Sequence, residues 1–255
     1  MKHFLVKNLS RIVRLFLALL LIYVSMIFYL KLSERRIAFP RAIVHKEART
    51  NILGKADSVF CTLQDSMTLE GFRIGNSSLP LVLYFPETEE DAAQFIAEIT
   101  QAKNAQFIAY NYRGSGKNKG TPEEQNFLAD AFEIYACAEQ FSSRLILAGR
   151  SEGAILALKT RKENNPVVLI DPVESIQEKI AEKYRFLFPG FLVQTQFKID
   201  ASDLKKQGIN LMLEDRNIKQ KSNNQFKTKY KEIPVFRRTG ETLSEVFDKI
   251  LVPEK

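Results

Sequence analysis

The chain opens on an unbroken apolar run. From Leu15 to Leu30 it reads LFLALLLIYVSMIFYL, sixteen residues without a charge, preceded by Lys2, Lys7, Arg11 and Arg14 and followed by Lys31, Arg35 and Arg36. Extended back to Ile12, with Arg14 snorkelling, the run reaches nineteen residues, close to the ~20 that cross a bilayer as a helix. A cleaved signal would be followed by a small-x-small site, whereas the exit here is Phe28-Tyr29-Leu30-Lys31, so an uncleaved signal anchor is expected. Basic residues flank both ends, leaving little asymmetry for the positive-inside rule. The expected orientation puts the N-terminus in the cytoplasm and the globular part on the outer, periplasmic or extracytoplasmic, side. The expected division is an anchor over 1–31, a juxtamembrane linker over 32–56 and a folded domain over 57–255.

Beyond the linker, β-rich apolar runs alternate with helical periodicity. Strands are predicted at Ser58–Gln64, Leu69–Gly75, Pro80–Phe85, Gln106–Tyr112, Arg144–Gly149, Pro166–Ile170, Gly208–Leu213 and Glu232–Arg237. Helices are predicted at Glu89–Lys103, Pro122–Gln140, Glu152–Lys162, Ser175–Tyr184 and Thr242–Leu251. This rhythm, after two leading strands, predicts an α/β domain with a mostly parallel sheet covered on both faces. Runs such as Leu81-Val82-Leu83-Tyr84-Phe85 and Val167-Val168-Leu169-Ile170 are apolar throughout, as strands buried on both faces are.

Charge changes the picture less than its total suggests. The 255 residues carry 37 Lys+Arg against 30 Asp+Glu, a formal +7. Ten of those basic residues lie in 1–49 with two acids, so the rest of the chain is close to neutral. A nucleic-acid-binding domain is therefore disfavoured. Arg216 to Arg238 holds eight basic residues against Glu232 alone; a solvated face is the default, and a face towards anionic lipid or an acidic partner the alternative. Two histidines and two cysteines leave no metal-ligand spacing, and no metal or cofactor is expected. Cys61 falls on the first strand and Cys137 on a helix covering the sheet, so two free, buried thiols are expected.

Chemistry enters at Leu145-Ile146-Leu147-Ala148-Gly149-Arg150-Ser151-Glu152-Gly153-Ala154, an apolar strand, then G-x-S-x-G, then a helix. Glycines two residues to either side let a serine occupy a tight strand-to-helix turn, with Oγ projecting from the sheet edge and the next amide facing an oxyanion. The plain alternative is that Gly149 and Gly153 only let helix and strand pack closely. Upstream lies Tyr110-Asn111-Tyr112-Arg113-Gly114-Ser115-Gly116-Lys117-Asn118-Lys119-Gly120-Thr121-Pro122-Glu123-Glu124. A phosphate loop there would need Gly at 111 and Ser or Thr at 118, and Asn stands at both.

Together these segments resemble the α/β-hydrolase superfamily, most closely its membrane-anchored branch of the bud-emergence-suppressor type, with D-Y-R-G-x-G-x-S-x-G-x-P-[ST]-E followed by G-R-S-x-G. The likeness runs from about Asp65 to Asp215 and continues in Asp171-Pro172-Val173-Glu174-Ser175 and Phe197 to Asp203. It implies an α/β-hydrolase fold behind one N-terminal transmembrane helix, with Ser151 as nucleophile and the amides of Glu152 and Thr88 as oxyanion-hole donors.

Three departures weaken the implied activity. Where the family has His-Gly-Asn after the third strand, this chain has Pro86-Glu87-Thr88, placing a carboxylate where negative charge would develop. The family's acid position matches Asn217 without a gap, or Asp215 if the turn is shortened. Its histidine position holds Glu241, in Arg238-Thr239-Gly240-Glu241-Thr242. His45 could serve only if the linker folded over the sheet edge, and Glu241 only as a carboxylate base; without a base a serine hydroxyl is a weak nucleophile. The expected function is thus a membrane-anchored, hydrolase-like module with little or no turnover that binds the bilayer and an acyl-ester or lipid ligand, or an unidentified protein partner. The alternative is an active serine ester hydrolase of carboxylesterase, lysophospholipase or thioesterase type.

Overall fold

The computed structural model describes residues 2–162, 164–205, 210–215 and 221–251. Helix α1 (Lys2–Leu32) carries the apolar run. Two short helices follow, α2 (Glu34–Ala38) and α3 (Lys46–Ile52). Then β1 (Asp57–Thr62), β2 (Thr68–Ile74), β3 (Leu81–Phe85), α4 (Ala92–Glu98), β4 (Gln106–Tyr110), α5 (Glu124–Glu139), β5 (Leu145–Arg150) and α6 (Gly153–Thr160) build the first half. The second half holds β6 (Val167–Ile170), α7 (Ile176–Tyr184), α8 (Ala201–Lys205), β7 (Asn210–Glu214), α9 (Lys221–Lys229), β8 (Val235–Arg237) and α10 (Leu243–Ile250).

All eight strands form one sheet in the order β1-β2-β4-β3-β5-β6-β7-β8. The pairings β1–β2 and β2–β4 are antiparallel, and every later pairing is parallel. Every residue of β3, β4 and β6 is buried, which explains their continuous apolarity. Successive side chains of β3 point to opposite faces: Leu81, Leu83 and Phe85 join the core beneath α5, α6 and α7, whereas Val82 and Tyr84 join the one beneath α4 and α10. Reciprocal capping boxes, Asp91 with Gln94 and Thr242 with Glu245, start α4 and α10 and satisfy amides that a helix start leaves unpaired.

The segment 32–56 is not extended chain. Ala38, Phe39, Ala42, Ala48 and Ile52 are buried, and Phe39 packs on Phe127 and Phe197 with ring centroids 5.2 and 6.2 Å away. Arg49 reaches Glu70 at 2.8 Å and Asp91 at 3.0 Å. Helices α8 and α9 lie where no helix is predicted, and the residues 216–220 of the basic run lie outside the described residues.

The expectation of two free thiols is overturned. Cys61 and Cys137 form a disulfide, with Cα atoms 5.8 Å apart. Cys61 is buried on the face of β1 that α5 crosses, so the helix expected to keep the sulfurs apart brings them together.

Candidate active site

The predicted elbow is a turn built by close approach. Ser151 has φ +53° between the end of β5 and the start of α6, a left-handed conformation that side chains rarely adopt and that clusters at functional sites. Both flanking glycines are required sterically. A Cβ on Gly149 would sit 2.2 Å from the Gly153 carbonyl oxygen, and one on Gly153 would sit 2.1 Å from that of Phe85. The Ser151 amide donates to the Ile170 carbonyl at 2.9 Å, locking the turn to β6.

Around Ser151 the partners differ from a triad. Lys179 Nζ, from α7, donates to Ser151 Oγ at 3.3 Å and forms an ion pair with Glu152. Ser175 starts α7 by accepting from the Glu178 amide at 3.0 Å, and Ile176 and Ile180 bury the helix's inner face. That spacing brings Lys179 to the elbow. Thr88 Oγ1 donates to Glu152 Oε1 at 3.2 Å, so the two candidate oxyanion-hole residues meet through their side chains. Burial pushes the Glu152 carboxyl up, but Lys179, its own amide and the Ser151 hydroxyl outweigh that and hold it below the ordinary carboxylate value. Glu152 is therefore ionised and a poor acceptor for an alcohol proton.

The remaining candidates are engaged elsewhere. Asp215, at the end of β7, lies 3.0 Å from Arg150 and pairs with Arg238, so two guanidinium groups take its carboxylate. Arg150, 1% exposed as a side chain, also binds Glu90 at 2.5 Å and Glu98 at 3.0 Å. Glu241 pairs with Lys249 at 2.8 Å and accepts from the Thr239 amide at 2.9 Å; Lys249 first and that amide second pull its carboxyl down to about 2. His45 is a helix cap: its Nδ1 accepts from the Ala48 amide at 3.1 Å and its own amide donates to Asp91 at 2.8 Å. The linker does fold onto the domain, yet it spends this imidazole on α3. The Glu87 amide donates to Glu90 at 3.2 Å, and Asn217 lies outside the described residues.

Beside Glu152 and Lys179 is a cavity of about 30 Å³, water-sized. Ile37, Ala38 and Pro40 line one side, and Glu152, Lys179 and Ile180 the other. Among the described residues no group of three His, Cys, Asp or Glu side chains could hold a metal ion.

No protein-family model matches the chain, and no curated protein matches it in sequence. Solved structures do match. An α/β-hydrolase of Vibrio vulnificus superposes with TM-score 0.65 at 17% identity, covering 88% of this chain and 89% of that one. The chain has the α/β-hydrolase fold. An esterase of Pyrococcus furiosus has TM-score 0.60 at 15% identity over 83% and 94% of the two chains. A thioesterase domain from the curacin biosynthetic pathway has TM-score 0.54 at 12% identity over 77% and 98%.

Within this α/β-hydrolase fold, two residues carry roles that the sequence reading passed over. Arg150 matches the arginine of G-R-S-x-G, but only its place at the end of a buried strand hints that it is a hub of charge. Lys179 was legible as a member of a predicted helix, but its reach to Ser151 depends on how α7 docks.

Proposed function

We propose that this chain is a membrane-anchored α/β-hydrolase-like protein of the bud-emergence-suppressor type that acts by binding a lipid or partner and does not run an ordinary serine-hydrolase cycle. The observation carrying this reading is the contact between Ser151 and Lys179. A serine nucleophile needs a group that takes its proton. Here an ammonium, held by ionised Glu152, donates to the hydroxyl instead. The engagement of Asp215 by two arginines supports the same conclusion.

Membrane anchoring is supported by Asn8–Ala38, which includes a helix long and apolar enough to cross a bilayer. The Cys61–Cys137 disulfide supports a domain on the outer, oxidising side, with the N-terminus in the cytoplasm. Ligands fitting this reading are membrane lipids or acyl esters.

The active-hydrolase alternative has one observation in its favour: Nζ is within 3.3 Å of Oγ, and serine–lysine pairs do occur as catalytic variants. The test is labelling of the full-length protein by a fluorophosphonate probe between pH 7 and pH 10. Little or no labelling of Ser151 is expected throughout. Stoichiometric labelling that rises with pH and disappears in both Ser151→Ala and Lys179→Met would establish a working pair and reverse the proposal.

A further inference from the structure

The chain after α7, Arg185 to Leu192, reads RFLFPGFL. Its Phe188 is buried, while Phe186 is 72% and Phe191 84% exposed. Scattered exposed hydrophobics are ordinary, but this pair lies against the apolar helix. Tyr23 Oη donates to the Phe186 carbonyl at 2.8 Å, and Lys31 Nζ donates to the Leu192 carbonyl at 2.8 Å. Along α1, Tyr23 and Ile27 are half-buried and Leu30 is buried, whereas the positions between them are exposed. Spacings of four and three put these residues on one helix face, so α1 lies alongside the turn for about two helical turns before the chain enters the domain.

The depth follows from helix geometry. Tyr23 precedes Lys31 by eight residues, roughly 12 Å of axial rise. With Lys31 at the polar boundary, Phe186 lies beside the apolar run, below the headgroup level. A tyrosine hydroxyl and a loop carbonyl at that depth need partners, and each satisfies the other. From 183 to 192 the chain has Lys183 and Arg185 and no acid, a charge pattern suited to a lipid surface.

We propose that Arg185–Leu192 is a second membrane-contact element, an aromatic wedge inserted into the bilayer beside α1. This rests on reading α1 as a membrane helix. Because α7 leads directly into the wedge and carries Lys179, insertion turns the side of the domain that holds Ser151 towards the lipid. The class of ligand able to approach is then a membrane lipid, arriving from within the bilayer.

The chain contains no tryptophan, so single-tryptophan reporters are clean. Phe186→Trp and Phe191→Trp would be made in the full-length protein, with Phe60→Trp, at a 64% exposed position on β1, as the reference. Each is reconstituted in vesicles of phosphatidylcholine and phosphatidylglycerol, with or without brominated acyl chains, and recovered by flotation. The expected result is blue-shifted emission at 186 and 191, with bromine quenching about threefold stronger and acrylamide quenching about threefold weaker than at 60, as for residues at an interface. Proteins that float but show water-like emission and acrylamide quenching at both positions would overturn the wedge and leave the anchor standing. Proteins that fail to float would overturn both.

Discussion

Lys179 Nζ stands 3.3 Å from Ser151 Oγ while paired with the buried carboxylate of Glu152. This contact puts an ammonium donor where a serine nucleophile requires a base, and it ties the elbow to α7. Its energetic consequences can be separated from any question of activity.

Replacing Lys179 by Met strands a carboxylate that is 3% exposed as a side chain. The expected loss is about 3 kcal/mol at pH 7, shrinking in acid as Glu152 takes up a proton. In the unaltered chain the folded Glu152 lies below its ordinary value of 4.5. Its contribution is therefore complete above about pH 4.5 and lost as pH falls through the lowered folded value. Denaturant titrations of both proteins from pH 7 to pH 3 should show the two curves converging; a constant gap would contradict the assignment.

Arg150 serves three carboxylates from a buried position. Arg150→Met should cost about 3–5 kcal/mol, because Glu90 and Asp215, each 3% exposed as side chains, lose their shared cation. Chemical denaturation would measure it. A loss under 1 kcal/mol would mean that Arg238 alone can hold Asp215 and that Glu90 is neutral.

For the disulfide, the 76-residue separation of Cys61 and Cys137 leads to a loop-closure contribution of about 4.5 kcal/mol in the chain-entropy account. Denatured, unreduced protein should show no free thiol, and reduction should lower the melting temperature. Two titratable thiols would return the molecule to the reduced state that the sequence suggested.

At the elbow, Gly153→Ala forces a methyl against the backbone oxygens of Phe85 and Pro86, 2.1 and 2.6 Å away. Backbone cannot yield as a side-chain tip can, so the loss belongs at or above the upper end of the ~1–3 kcal/mol typical of overpacking. Ser151→Ala at the same turn should cost less, about 1 kcal/mol or under, since it removes only hydrogen bonds to Lys179 and Glu152 and leaves their ion pair in place. Thermal melts of the two variants side by side would reveal any departure from this order.

What local pattern encodes, the sequence disclosed. The strands β3 and β6 announce double-sided burial by unbroken apolarity, and Gly149 and Gly153 mark a turn whose crowding leaves no alternative residue. What depends on docking stayed hidden. The contact of Cys61 with Cys137 is set by α5 crossing β1, and that of Lys179 with Ser151 by the seating of α7. Helix α9 left little trace in the pattern because Phe226 is its one large apolar residue among lysines and asparagines, with Tyr230 following just past its end. Helices α2 and α3 were hidden by basic residues that suggested a solvated linker, although Ala38, Phe39 and Ile52 supplied the apolar contacts.

The strand order has a consequence for synthesis. After β4 emerges and pairs with one side of β3, the other side waits for β5, which begins roughly sixty residues past Phe85. At 5–20 residues per second this is an interval of about 3–12 s. Throughout it Leu81-Val82-Leu83-Tyr84-Phe85 presents an open, wholly apolar edge of the kind that recruits wrong partners. The strand that leads into Ser151 is thus also the one whose arrival closes the nascent sheet, and variants that slow the pairing of β5 should aggregate during production even where the finished fold tolerates them.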